Sequence, residues 1–110
     1  RAQLSDAIVL ASGVKTAVGE YYQVNGSFTG ASGSVGGIPA DIASGAGKYA
    51  NSLTTLDGTI TVQMNGSGVA SCVQSKSVTL TPAAPVSPEA PIAWTCTSDA
   101  NPGCKPSTCT

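Results

Sequence analysis

The chain has 110 residues, five basic and six acidic side chains, a net charge of −1, no histidine and four cysteines. That length supports one modest core. The sparse charge argues against a nucleic-acid partner and against a polybasic membrane-surface site, and the lack of histidine rules out Ser–His or Cys–His pairs within the chain.

Leu4, Ala7, Ile8, Ala11, Val14, Val18, Tyr21 and Tyr22 recur at steps of three and four. They predict an amphipathic helix over residues 1–24. No residue caps its start: Ser5 is followed three positions later by Ile8, not by the Glu or Gln of a capping box. A stripe running uncapped to residue 1 is the pattern expected of a cut inside a longer helix. Asn25-Gly26 marks its other end.

Residues 25–47 are rich in Gly, Ser and Ala and low in charge. This is long for a connection, which predicts a functional or partly structured loop. Pro39-Ala40-Asp41-Ile42-Ala43 fits a helical turn, since proline suits a first turn.

From Lys48 the period changes to two. Strands are predicted at residues 49–56, 59–64, 77–81 and 92–96. Asp57-Gly58 between the first two suits a type I′ turn, whose central residues both need positive φ. Pro82, Pro85, Pro88 and Pro91 predict an extended connection that leaves the sheet. Alternation puts Ile60, Val62, Met64, Val78, Leu80, Ile92 and Trp94 on one apolar face. The helix, through Leu4, Ile8, Ala11, Val14 and Val18, is the one element able to cover it. The expected class is therefore α+β.

Cys72, Cys96, Cys104 and Cys109 lack C-x-x-C spacing. That argues against a zinc or thioredoxin-type site and for two disulfides formed in an oxidising compartment. Four cysteines allow three pairings. No carboxylates stand at catalytic spacing. Asp57 fits its turn and Asp6 the polar helix face. Asp99-Ala100-Asn101 lacks the Gly and distal Glu of a calcium loop and reads as a turn before Pro102. Asn25-Gly26-Ser27 and Asn65-Gly66-Ser67 match the N-glycosylation sequon but read as turns. Tyr21 and Tyr22 are expected to pack under the loop rather than to form a binding platform. No catalytic, cofactor or metal site is expected.

Together these residues resemble a type IVa major pilin of Gram-negative bacteria that lacks its hydrophobic N-terminal half-helix. Arg1-Ala2-Gln3-Leu4-Ser5-Asp6-Ala7 looks like the junction where the pilin helix meets the head. Gly47-Lys48-Tyr49 with Asp57-Gly58-Thr59-Ile60-Thr61-Val62 looks like the first hairpin of the pilin sheet. Ile92-Ala93-Trp94-Thr95-Cys96-Thr97-Ser98 is similar to the last strand entering the family's C-terminal disulfide region, and Cys109 lies twelve intervening residues beyond Cys96. The family's N-terminal Phe and nearby Glu are absent from this sequence, and Cys72 and Cys104 are extra to its simplest pattern.

The resemblance implies the pilin fold in one head domain, residues 1–110: a spine helix (1–24) packed on a four-stranded antiparallel sheet (48–97), an αβ-loop (25–47) and a disulfide-bounded C-terminal region (96–110). It favours Cys96–Cys109, which leaves Cys72–Cys104. Cys72–Cys96 with Cys104–Cys109 is the other pairing considered. It implies a structural subunit that polymerises with copies of itself into a type IV pilus for adhesion, twitching motility and DNA uptake. The partners implied are the pilus assembly machinery and host or abiotic surfaces. The membrane is reached only through the missing half-helix, in the inner membrane before assembly, and the assembled fibre is extracellular. The outward helix face, the αβ-loop and residues 99–110 would make the subunit contacts. A minor pilin or pseudopilin, or a small secreted binding module stapled by two disulfides, are the alternatives.

Overall fold

The computed structural model describes residues 2–47, 49–69, 71–83 and 92–100, with side chains from residue 6 onward. Helix α1 (Ala2–Asn25) is followed by β1 (Ala50–Leu56), β2 (Thr59–Met64), β3 (Ser77–Ala83) and β4 (Ala93–Ser98). The strands form one antiparallel meander in the order β1-β2-β3-β4. At 1.5 Å per residue α1 is about 36 Å long, close to the molecule's longest extent of 41 Å. The helix is thus the spine on which the sheet is laid, as the α+β reading expects.

The stripe predicted for α1 is the face that packs on the sheet. Ala7, Ala11, Val14 and Val18 are buried, and α1 lies chiefly over β2. Ile8 is only half-buried at the flank, so it belongs to the core margin rather than its centre. The Leu4 side chain lies outside the described residues. Opposite the helix, Ile60, Val62, Met64, Val78 and Leu80 are all buried, as their alternation predicts.

Ile92 and Trp94 depart from expectation. They point to the helix side but are only half-buried, because β4 is an edge strand while α1 is centred on β2. Ile92 reaches α1 over Gly19, where a Cβ would stand 3.7 Å from Ile92 Cδ1. The Lys15 ammonium lies 5.7 Å from the centre of the Trp94 ring, a contact worth about 0.5–1 kcal/mol at an exposed site.

Three local details also differ from the sequence reading. First, β1 carries a register shift between Ala50 and Ser52. An extra residue in one strand resets which side chains face inward, and here Ala50, Leu53 and Thr55 all become buried. Second, residues 39–43 form no helical turn. Ile42 instead pairs with Leu53 through reciprocal backbone hydrogen bonds of 2.8 and 2.9 Å. An edge strand's unpaired N–H and C=O groups attract such a partner, and the pairing covers part of the β1 edge. Third, β3 continues through Pro82 to Ala83. Pro82 lies beyond the last β2–β3 pair, Ile60↔Leu80, and pairs only with Trp94 on β4. Its missing N–H therefore leaves no β2 carbonyl unpaired. Pro85, Pro88 and Pro91 lie outside the described residues.

Candidate assembly surface

The side of α1 away from the sheet has no cover among the described residues. Val9 and Val24 are 69% and 83% exposed, and Ser12, Gly13, Thr16 and Glu20 between them are exposed too. Among the described residues, no atom outside its own stretch of helix lies within 4 Å of where a Gly13 Cβ would stand. The Ser12 hydroxyl donates to the Ile8 carbonyl at 2.8 Å and so is already used inside the helix. The resulting face is narrow, nearly uncharged and built of small side chains. It permits close approach of another helix. The helix ends where expected: Gly26, at φ 75°, donates its N–H to the Tyr22 carbonyl at 2.7 Å, and Asn25 Nδ2 bonds the Tyr21 carbonyl at 3.0 Å. The first sequon is thus a helix stop.

The loop after α1 is fixed to the β1–β2 turn by several independent bonds. Asp57 and Gly58 sit at φ 48° and 85°, the two positive values that a type I′ turn needs. The Gly30 N–H donates to Asp57 Oδ1 at 2.8 Å, the Asp57 N–H to Ser32 Oγ at 3.3 Å and the Gly58 N–H to the Ala31 carbonyl at 2.8 Å. The Gly33 N–H bonds the Thr55 carbonyl at 3.2 Å, and the Thr55 N–H reaches Asp41 Oδ1 at 3.0 Å. Ala31 and Ile38 are buried beneath.

Tyr21 and Tyr22 have the packing role expected of them. The Tyr21 hydroxyl donates to the Thr29 carbonyl at 2.9 Å, and the Tyr22 ring lies 4.6 Å from that of Phe28. A shallow groove of about 180 Å³ between Tyr21 and Val24 on the helix and Gly36 and Gly37 on the loop continues the outward surface.

Gly58 is tightly enclosed at this junction. A Cβ there would stand 3.0 Å from Pro82 Cγ and 3.1 Å from Phe28 Cβ, on a backbone that side chains rarely adopt. Gly58→Ala should cost about 1–3 kcal/mol, read as a lower urea midpoint with an unchanged slope.

At the other end of the sheet, Cys72 and Cys96 are both disulfide-bonded. Cys96 is buried opposite Leu80, while Cys72 is half-buried beside the buried Val73. Cys104 and Cys109 lie outside the described residues, as does the rest of the contact region predicted at 101–110. Asp99 stands at the end of the β3–β4 pairing. Its Oδ1 accepts the Ser77 N–H at 2.8 Å, while Ser98 Oγ donates to the Ser77 carbonyl and accepts the Ala100 N–H, so β3 and β4 are tied together where Asp99 leaves the sheet.

Asp6 departs from its expected place on the polar helix face. It is half-buried, and its Oδ2 is a buried oxygen without a hydrogen-bond partner among the described residues, facing Gly47. The second sequon forms a turn: the Asn65 N–H bonds the Tyr49 carbonyl at 2.9 Å, and the Asn65 carbonyl accepts the Ser75 N–H at 3.1 Å. Among the described residues no three His, Cys, Asp or Glu side chains gather as a metal site, and no helix is long and apolar enough to cross a membrane.

Chemically, this is an arrangement for association. One helix offers a long face of small side chains, and a loop held rigidly beside it extends that face. Sequence reasoning missed the loop's own core residues, Ala31 and Ile38, and the inward Val73. None stands in a periodic run, so no pattern marked them.

Comparison with known proteins agrees with this geometry. A family model described as pilin, a bacterial filament protein, matches residues 1–110. The chain is 42% identical over 82 residues to type IV major pilin protein PilE1 of Neisseria gonorrhoeae, covering 73% of this chain and 44% of that protein. It is 37% identical over 113 residues to fimbrial protein EcpC of Eikenella corrodens, covering 99% of this chain and 69% of the relative. It is 40% identical over 80 residues to a fimbrial protein of Neisseria meningitidis serogroup B, covering 73% of this chain and 46% of that protein. The chain thus spans about half the length of most of these relatives. A spine helix on an antiparallel sheet, a loop fastened to the first hairpin and a match along all 110 residues lead to one conclusion: this chain belongs to the pilin family.

Proposed function

We propose that these 110 residues are the single head domain of a major subunit of a type IV pilus, and that its role is structural. Subunits assemble with copies of themselves through the outward face of α1, the αβ-loop and the C-terminal region. An apolar helical segment preceding residue 1 holds the subunit in the inner membrane before assembly and packs in the fibre centre afterwards. The mature fibre is extracellular. It is assembled by the pilus machinery, meets host or abiotic surfaces, and serves adhesion, twitching motility and DNA uptake. The head carries out no catalysis. The disulfides pair Cys96 with Cys109 and Cys72 with Cys104.

The observation that supports this reading best is the α1 surface between Val9 and Val24, open and almost uncharged in a chain whose relatives are named as major pilins and fimbrial proteins. The test is substitution on that face within the full-length subunit, in a host that builds fibres from it. Val9→Arg with Thr16→Arg should reduce fibre yield at least about tenfold, the effect of placing charge in an interface hot spot. The isolated head should unfold within about 0.5 kcal/mol of the parent, because both sites are exposed. Normal fibre yield from the double variant would remove α1 from the assembly surface.

A further inference from the structure

The chain carries one triplet twice, and the fold treats the two copies differently. Asn25-Gly26-Ser27 ends α1, and Asn65-Gly66-Ser67 follows β2. Gly26 is needed where it stands: its φ is 75°, and its N–H is held by the Tyr22 carbonyl at 2.7 Å. Gly66 meets neither description. Its φ lies outside the left-handed region, and among the described residues its N–H makes no hydrogen bond. Gly66, Ser67 and Gly68 are all exposed. Apart from its chain neighbours, the one described atom within 4 Å of where a Gly66 Cβ would stand is Ser75 Oγ, at 3.3 Å, the end of a rotatable side chain. The backbone and its surroundings would therefore accept alanine at 66. What glycine provides there is an uncommitted peptide nitrogen with no Cβ beside it.

From this contrast we infer a self-modification site: Asn65 deamidates through the Gly66 nitrogen, while the same chemistry is held back at Asn25. Asparagine is a thermolabile residue, and glycine after it lets the backbone approach closely. The Gly66 nitrogen gives up its proton to water and attacks Asn65 Cγ. An N–Cγ bond forms, the Cγ–Nδ2 bond breaks, and ammonia leaves with a proton returned by water. The product is a five-membered succinimide. Water then adds to one of its two carbonyl carbons. Ring opening at Cγ gives aspartate, and opening at the main-chain carbonyl carbon gives isoaspartate. Nothing is oxidised or reduced, and water is the one co-reactant.

The position matters because Asn65 lies in the neck of a loop. Its N–H bonds the Tyr49 carbonyl at 2.9 Å, its carbonyl accepts the Ser75 N–H at 3.1 Å, and the Met64 N–H reaches the Lys76 carbonyl at 2.8 Å. The loop closed in this way carries the buried Val73 and the half-buried Val69 and Cys72. Isoaspartate puts an extra methylene into the main chain at the neck and displaces the carbonyl that Ser75 uses. Either product adds a negative charge to a chain whose net charge is −1. No enzyme is required, so the change records time since folding. Fibre formation plays no part in it.

The test follows the 110-residue head, disulfides intact, in warm, mildly alkaline buffer. Peptide mapping by mass spectrometry over time measures amide-to-acid conversion at both asparagines, and chromatography separates isoaspartate from aspartate. The reference is the same chain reduced and unfolded in guanidinium chloride, where the identical triplets should convert at similar rates. In the folded head Asn65 should convert at least about fivefold faster than Asn25, the factor that one net hydrogen bond represents. Gly66→Ala should slow conversion at Asn65 at least about fivefold, leave Asn25 as in the parent and keep the circular dichroism unchanged. Equal conversion at the two sites of the folded head, faster conversion at Asn25, or an Asn65 that stays intact while the unfolded chain converts would each overturn the inference. Undiminished conversion in Gly66→Ala would overturn it too.

Discussion

Replacing Ile60 by alanine should lower the stability of the head by about 3–4 kcal/mol. Ile60 is fully buried on β2, the strand that α1 chiefly crosses, and it pairs with Thr55 on one side and Leu80 on the other. Ile→Ala removes three carbon groups, each worth about 0.8 kcal/mol of transfer energy. The remaining cost is the cavity, because a helix fixed over a four-stranded sheet cannot collapse fully into the gap; such substitutions measure 2–5 kcal/mol overall.

The effect is large for this molecule in particular. Sixteen apolar residues are buried among those described, and five of them are alanine. Few large side chains share the load. A domain of this kind has only about 5–15 kcal/mol to lose. Leu56→Ala provides the contrast: it is on the neighbouring strand but 68% exposed, and should move stability by less than about 0.5 kcal/mol. Urea unfolding with the disulfides intact measures both. A cost below about 1 kcal/mol at Ile60 would mean that the helix does not seal this part of the sheet.

The same residue shows how much of the fold could be read in advance. Ile60, Val62 and Met64 alternate with Thr59, Thr61 and Gln63 and follow an Asp-Gly turn, so strand, face and turn type were all visible in eight letters. The turn's two positive φ angles confirm the chemistry that Asp57-Gly58 implies. The α1 stripe was legible for the same reason: a period shows which side is covered.

Features without a period were not legible. The bulge at Ala50–Ser52 shifts the faces of β1 without any change in composition. Ile42 joins β1 only because that strand's edge is open, a fact of topology that the segment around Pro39 cannot contain. Pro82 stays in a strand because β2 ends short of it. The candidate surface was legible only by subtraction. Once the stripe of α1 is assigned to the sheet, Val9, Ser12, Gly13 and Thr16 are what remains.

Removing the proposed Cys72–Cys104 bridge should have an effect as large as the loss of Ile60. Cys72 follows the turn region after β2 and adjoins Val73, which is 1% exposed, so the bond anchors a segment with no ladder of its own. A loop of about 33 residues closed by one bridge is worth about 3.5–4 kcal/mol in the chain-entropy model, and the roughly fourteen residues from Cys96 to Cys109 about 3 kcal/mol. Cys72→Ser with Cys104→Ser should therefore cost more than Cys96→Ser with Cys109→Ser as far as chain entropy decides. The Cys96 pair then adds a packing loss, since Cys96 is buried against β3 opposite Leu80.

Making both members of a pair serine avoids leaving a lone thiol to exchange with the other bridge. Unfolding of the two double variants, with mass spectrometry of non-reduced proteolytic fragments of the parent, distinguishes the possibilities. Fragments joining Cys96 to Cys109 and Cys72 to Cys104 are expected. Fragments joining Cys104 to Cys109 would leave a loop of only about six residues, worth about 2 kcal/mol in the same model. The tail would then be pinned to itself rather than to the sheet, and the C-terminal region would lose its proposed place beside the subunit contacts.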